Sequence, residues 1–165
     1  MALLPYPPVG FHFAVAFEIS QSPLLNDGRF QEVSGLEVEM EMEAFSEGGQ
    51  NRFTWQLPKR ARYSDLVFKR GMFMGSGVVL WCQNAFENFV FEPTNVIIAL
   101  LNDQHVPIQA WYVVNAIPKK WSISNFNAEE SAIVVESFTL SYQFFNVISV
   151  ESLASGLASG VAAII

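Results

Sequence analysis

The sequence contains one cysteine and two histidines among its 165 residues. Cys82 alone cannot build a disulfide framework or a multi-cysteine metal cluster. Neither His12 nor His105 has another histidine or cysteine at ligand spacing, so we expect no metal site. The glycines match no phosphate-binding fingerprint, and no G-x-S-x-G elbow occurs. The sequence therefore predicts no catalytic residue, no cofactor and no enzyme.

Charge is also scarce, at 15% of residues against 51% that are hydrophobic. Nine Lys and Arg against sixteen Asp and Glu give a net charge of −7, which argues against specific nucleic-acid binding. No apolar run reaches the ~18 residues of a spanning helix, so an integral membrane protein is not expected. The first residues lack the pattern of a secretory signal, so we expect assembly in the cytoplasm. The apolar excess suggests burial against other copies.

Alternation of apolar and polar residues indicates a chain made mainly of β-strands. One helix is predicted at about residues 77–89, with Ser76 as its N-cap and Cys82 on its apolar, buried face. Pro58 is expected to end a strand, and Pro107 indicates an edge strand. The predicted strands are residues 11–19, 31–46, 52–57, 63–70, 96–101, 106–114 and 132–146.

The segments between these strands have their own signatures. Residues 1–10 contain three prolines and are typical of an extended arm, and residues 118–131 are predicted to be a polar connection. Residues 151–165 repeat Leu-Ala-Ser-Gly and form a separate small-residue tail after a domain of residues 1–150. This tail is either a helix packed on a partner or a segment that orders on assembly.

The most regular pattern in the chain is a row of alternating glutamates. Residues two apart on a strand share a face, so these carboxylates lie ~6.6 Å apart on one side of a predicted strand. In bulk water, neighbouring carboxylates at that spacing repel by ~0.6 kcal/mol. The row therefore needs water or counter-charge, while the opposite face is apolar. Its members are Glu37, Glu39, Glu41 and Glu43.

Three interpretations of the glutamate row are open. It is an ordinary solvated face, or a cation site, or the lining of an aqueous passage built by a ring of subunits. A straight row disfavours the cation site, because its ligands are too widely spaced to converge on one ion. Basic residues cluster at 59–62 and at 69–70, where they are either turn charges or partners for glutamates of a neighbouring copy.

Several segments in this order resemble the tail tube proteins of contractile-tailed phages and phage-like contractile injection systems. The resemblance covers roughly residues 6–148. Each segment alone is weakly specific, but their order makes the match fairly specific. They are Y-P-P-V-G-F-H-F at 6–13, F-Q-E-V-S-G-L at 30–36, L-V-F-K-R-G-M-F at 66–73, W-Y-V-V-N-A-I-P at 111–118 and A-E-E-S-A-I-V-V-E at 128–136.

The resemblance implies a β-sandwich or barrel-like core with one helix. It also implies extended hairpins that join an inter-subunit β-barrel in a hexameric ring, with rings stacked into a tube. The implied partners are contractile sheath subunits, baseplate and spike proteins, and cargo in the lumen. Glu37, Glu39, Glu41 and Glu43 are then candidates to face the lumen or a neighbouring subunit. The implied particle is a phage tail or a phage-like device that is released or envelope-anchored.

Two departures from the family pattern leave an alternative open. The loop at 22–29 is longer than the common form, and the tail at 150–165 is additional. Either feature is compatible with a specialised ring near the baseplate that links tube to spike, or with variation of the main tube.

Overall fold

The computed structural model of the chain describes residues 10, 12–19, 29–129 and 132–149. Most of the predicted N-terminal arm, most of the predicted loop at 22–29 and the predicted C-terminal tail lie outside these residues. The elements are β1 Phe13–Phe17, β2 Glu32–Ser34, β3 Val38–Phe45, β4 Trp55–Tyr63, β5 Leu66–Gly71, α1 Gly77–Glu87, β6 Thr94–Leu101, β7 Pro107–Ile123, β8 Val135–Ser141 and β9 Phe144–Ser149.

Seven hydrogen-bonded strands form the body, in the order β1-β6-β7-β8-β5-β2, with β9 paired to β7. All pairs are antiparallel. The first part of β7 lies between β6 and β9, and its last part pairs with β8. The long strand thus connects two sub-sheets that enclose the core, and among the described residues the sheets do not close into a barrel. The predicted mainly β fold with one helix is confirmed for this part of the chain.

The change of sheet along β7 occurs at Asn115, which has a left-handed φ of 52°. Its backbone N–H donates to Asn95 Oδ1 at 3.1 Å, and its side chain donates to Gln143 Oε1 at 2.9 Å. Asparagine tolerates this backbone conformation better than most residues. The chain also changes sheet at the same level between the end of β8 and the start of β9, both of which pair with β7. The predicted strand at 132–146 is therefore wrong, because its residues belong to two strands.

Two further strand predictions need correction. Residues 118–123 belong to β7 rather than to a polar connection, because they pair with β8. Pro107 begins a central strand and not an edge strand; its missing N–H is tolerated at the first position.

The core lies between the sub-sheets and against α1. Its largest fully buried side chains include Phe68 on β5 and Phe138 on β8. Ser76 caps α1, as predicted, and its Oγ accepts a hydrogen bond from the Val79 N–H at 3.3 Å. Trp81 and Cys82 bury the helix against the sheet. The body is thus folded around its own core, so exposed apolar residues elsewhere need another explanation.

Candidate assembly interface

The β3–β4 hairpin is a separate two-stranded sheet that pairs with no other described strand. Its eight-residue first strand reaches about 27 Å at the usual rise per residue. One face carries Met40 and Met42, which are 47% and 56% exposed. Near the tip, Trp55 pairs with Phe45 on the opposite face, and both side chains are about half exposed. A two-stranded hairpin with apolar side chains in water is marginally stable alone. Within the described part of the chain, its apolar face therefore remains open to solvent.

The base of the hairpin is held at Gly35, between β2 and β3. Gly35 has φ +95°, and a Cβ on it would collide with the backbone carbonyl of Asp65. The Tyr142 hydroxyl donates to the Gly35 carbonyl at 3.2 Å. Burial raises the pKa of Tyr142, which keeps this donor protonated. Only glycine fits at this position, which explains physically why the V-S-G-L segment contains one. Gly35 forms the connection through which the chain passes from the body into the hairpin.

The second strand of the hairpin differs from the prediction. Pro58 does not end it, because β4 runs from Trp55 to Tyr63 through a β-bulge. The register passes from Met40 opposite Ala61 to Met42 opposite Pro58, so β4 carries one extra residue there. A bulge is one of the few places where a strand accepts proline.

The bulge brings basic residues next to the glutamate row. Arg60 Nε lies 3.1 Å from Glu41 Oε2, and Lys59 Nζ lies 3.5 Å from Glu43 Oε2. Glu39 is directly opposite Arg62 in the register. The fourth member, Glu37, accepts a hydrogen bond from Ser64 Oγ at 3.2 Å. The row is thus matched by counter-charge from its own chain, and residues 37–63 hold five acidic and four basic side chains, a net of −1.

The interpretation of residues 69–70 as turn charges or partners for another copy is wrong. Both lie in β5, where Lys69 bonds Glu32 on β2 at 3.0 Å and Arg70 bonds Glu136 on β8 at 2.6 Å. The second pair is buried, and the Arg70 guanidinium also donates to Ser76 Oγ at 2.5 Å. Alternation along β5 places Arg70 on the same inward face as Leu66 and Phe68. The alternation of residues along β5 could have identified Arg70 as inward-facing. The adjacent Lys69 makes the two residues resemble an exposed basic cluster instead.

No group of three or more His, Cys, Asp or Glu side chains could hold a metal ion in the described part of the chain. The structure does bring His12 and His105 together, with 2.8 Å between His12 Nε2 and His105 Nδ1. Sequence spacing missed this contact, because it depends on the pairing of β1 with β6. In the same described regions, no helix is long and apolar enough to cross a membrane.

Cys82 is fully buried, and burial raises the pKa of its thiol from 9.0 to about 12. We expect the folded protein to resist alkylation by iodoacetamide at pH 8, whereas the denatured chain reacts. Folding favours the protonated thiol, so this group's contribution to stability is complete below pH 9 and is lost as pH rises from 9 towards 12. Mass spectrometry of labelled protein measures the effect; rapid labelling of native protein would contradict the buried position.

The family model of the T4-like virus tail tube protein gp19 matches residues 9–146. The chain is similar to a protein in the cryo-EM structure of the anti-feeding prophage baseplate, with 27% identity, a TM-score of 0.83, and coverage of 90% of this chain and 99% of that one. It also resembles a protein in the sheath-tube complex of the extracellular contractile injection system PVC, with 23% identity, a TM-score of 0.74, and coverage of 88% and 94%. A protein in the anti-feeding prophage cap has 22% identity, a TM-score of 0.74, and coverage of 90% and 95%. No curated protein sequence matches.

Proposed function

Since the chain belongs to the T4-like virus tail tube protein gp19 family, we propose that it is a structural subunit of the inner tube of a contractile injection system. Six copies form a ring around a lumen, and rings stack into a tube that delivers cargo. The observation that carries this proposal is the β3–β4 hairpin, which extends from a folded body, pairs with none of its described strands and exposes apolar side chains.

The hairpin has the features of an interface between subunits. Its two outer edges pair with no strand that the structure describes, and such open edges are templates for pairing with another chain. Closing a sheet across subunits removes such edges. Each copy then completes its sheet with its neighbours' strands, and the exposed Met40 and Met42 become part of a dry interface.

The two faces of the hairpin suggest which one is wet. The apolar face suits a neighbouring subunit, because burying a methionine side chain is worth about 1.5–3 kcal/mol. The glutamate face, with its lysine and arginine partners, suits the lumen, where water solvates paired charges at little cost. The wall is then a mixture of both signs with a net charge near zero, and not a uniformly acidic surface. Glu37, Glu39, Glu41 and Glu43 are its acidic members.

A second surface is suited to ring stacking. At the end of the body where β5 and β7 finish and β8 begins, apolar side chains point into water: Met74 is 87% exposed, Phe126 78% and Ile133 82%. Exposed apolar patches on a soluble protein commonly mark interaction sites. We assign this patch to contact with the next ring. Sheath subunits, baseplate and spike proteins, and lumen cargo complete the proposed partners, with assembly in the cytoplasm before release or envelope anchoring.

A second candidate function is a baseplate-proximal ring that links tube to spike. The similarity to the anti-feeding prophage baseplate protein, at 27% identity and a TM-score of 0.83, exceeds that to the PVC sheath-tube protein, at 23% and 0.74. An adaptor ring needs the β3–β4 hairpin interface between its subunits, but such rings need not stack on one another.

Self-assembly of the purified chain separates these two functions. A tube subunit is expected to form rods or ring stacks at high concentration, and an adaptor is expected to stop at one ring. Negative-stain microscopy with mass measurement of the particles distinguishes these outcomes. A species that stays monomeric at high concentration, with no rings, would contradict both functions.

A further inference from the structure

The contact between His12 and His105 has no role in ring assembly as proposed above. His12 immediately precedes β1, and His105 lies in the turn between β6 and β7. Their rings are T-shaped, with centroids 4.6 Å apart, and His12 Nε2 is 2.8 Å from His105 Nδ1. Two imidazole nitrogens thus face each other at the surface of the protein.

The backbone around this pair is well ordered by hydrogen bonds. The Leu101 N–H donates to the His12 carbonyl at 2.9 Å, which ties the start of β1 to the end of β6. Asn102 Oδ1 accepts from the backbone N–H groups of Gln104 and Val106, each at 2.9 Å. His105 itself has φ 61°, fixed by this turn. Both rings are therefore carried on backbone that is hydrogen-bonded together, which is the support that a preorganised ligand pair requires.

We propose that His12 and His105 form a binding site for one divalent transition-metal ion of the Zn²⁺, Ni²⁺ or Cu²⁺ class. Neutral imidazole suits these ions. Metal–nitrogen bonds of ~2.0–2.1 Å at angles of 90–109° place two ligand nitrogens about 2.9–3.4 Å apart. The observed separation of 2.8 Å needs only a small opening. The ring that donates the present hydrogen bond moves its proton to its other nitrogen, so both facing nitrogens offer lone pairs.

The bound ion connects an edge strand to the adjacent turn. β1 is five residues long and pairs only with β6 among the described strands. No third His, Cys, Asp or Glu of this part of the chain joins the pair, so water completes the coordination sphere. Because the ion binds folded protein, it stabilises the fold by mass action.

Titration of untagged, full-length protein with ZnCl₂ and with NiCl₂ tests this site by calorimetry. We expect saturable binding of one ion per chain and a higher Tm in the presence of metal. His105→Asn removes one imidazole ligand and places there a residue that tolerates the left-handed backbone conformation. His12→Gln removes the other imidazole ligand. Each variant is expected to bind at least about tenfold more weakly, because one of two metal–protein bonds is lost.

Gln104→Ala is the matched control, since it alters an exposed residue of the same turn and leaves both rings in place. It is expected to bind as the unmodified chain does. The proposal is overturned if the unmodified chain shows no saturable binding at metal concentrations up to about 1 mM. Binding by both histidine variants as tight as that of the unmodified chain would overturn it as well, because the ion would then lie elsewhere.

Discussion

Replacing Arg70 by methionine is expected to lower the free energy of unfolding by about 3–5 kcal/mol, because Glu136 is left as a buried charge without its partner. Arg70 is 3% exposed and Glu136 1%. The guanidinium packs over two aromatic rings, 5.2 Å from the centroids of Phe30 and Phe138. It also holds Ser76, the N-cap of α1. One side chain therefore couples β5, β8 and the start of the helix.

Urea denaturation followed by circular dichroism measures this loss. Lys119→Met is the matched control, because it removes an ion pair with Asp65 that is 58% and 38% exposed. Exposed pairs contribute about 0–1 kcal/mol, so the control is expected to unfold nearly as the unmodified chain does. The double variant Arg70→Met with Glu136→Leu removes both charges and is expected to recover much of the loss. A single variant as stable as the control would refute the structural role of the buried pair.

Replacing Met40 and Met42 by aspartate is expected to abolish ring formation while leaving the Tm of the single chain nearly unchanged. Both side chains lie on the apolar face of a hairpin that pairs with no described strand of the body, so the fold of the body does not depend on them. In the proposed ring, the same change buries two unpaired carboxylates in each interface. Size-exclusion chromatography with light scattering, and a thermal melt, measure the two effects separately.

The matched control exchanges the charges of one cross-strand pair, Glu39→Arg with Arg62→Glu. These residues are directly opposite each other on the other face of the hairpin. The exchange preserves attraction across the strands, so rings are expected to form normally. Rings that form as well with the aspartate substitutions as with the control would show that the apolar face is not an interface.

Several features could be read from the sequence because their causes are local. The capped helix follows from Ser76 and from apolar residues at helical spacing. The glutamate row follows from the alternation of residues along a strand. The buried thiol of Cys82 follows from its place on the apolar helix face. The resemblance to the tail tube proteins adds the expectation of a sandwich or barrel-like core with extended hairpins, which composition and periodicity alone do not specify.

The features that sequence reasoning missed depend on contacts between distant segments. The bulge in β4 cannot be anticipated from Pro58, because proline ends strands more often than it accompanies a bulge. The pairing of Arg70 with Glu136 joins residues 66 positions apart, and that of His12 with His105 joins residues 93 apart. Strand order creates both contacts, and strand order was not derivable from one sequence.

The proposed ring requires that strands of neighbouring copies complete the β3–β4 hairpin. A high-resolution cryo-EM reconstruction of the assembled protein tests this directly. We predict a closed annulus in which backbone hydrogen bonds join each hairpin to adjacent subunits, with Met40 and Met42 buried and the glutamate face turned to the lumen. Assembled particles in which the hairpins stand free in solvent, or join through the body alone, would contradict it.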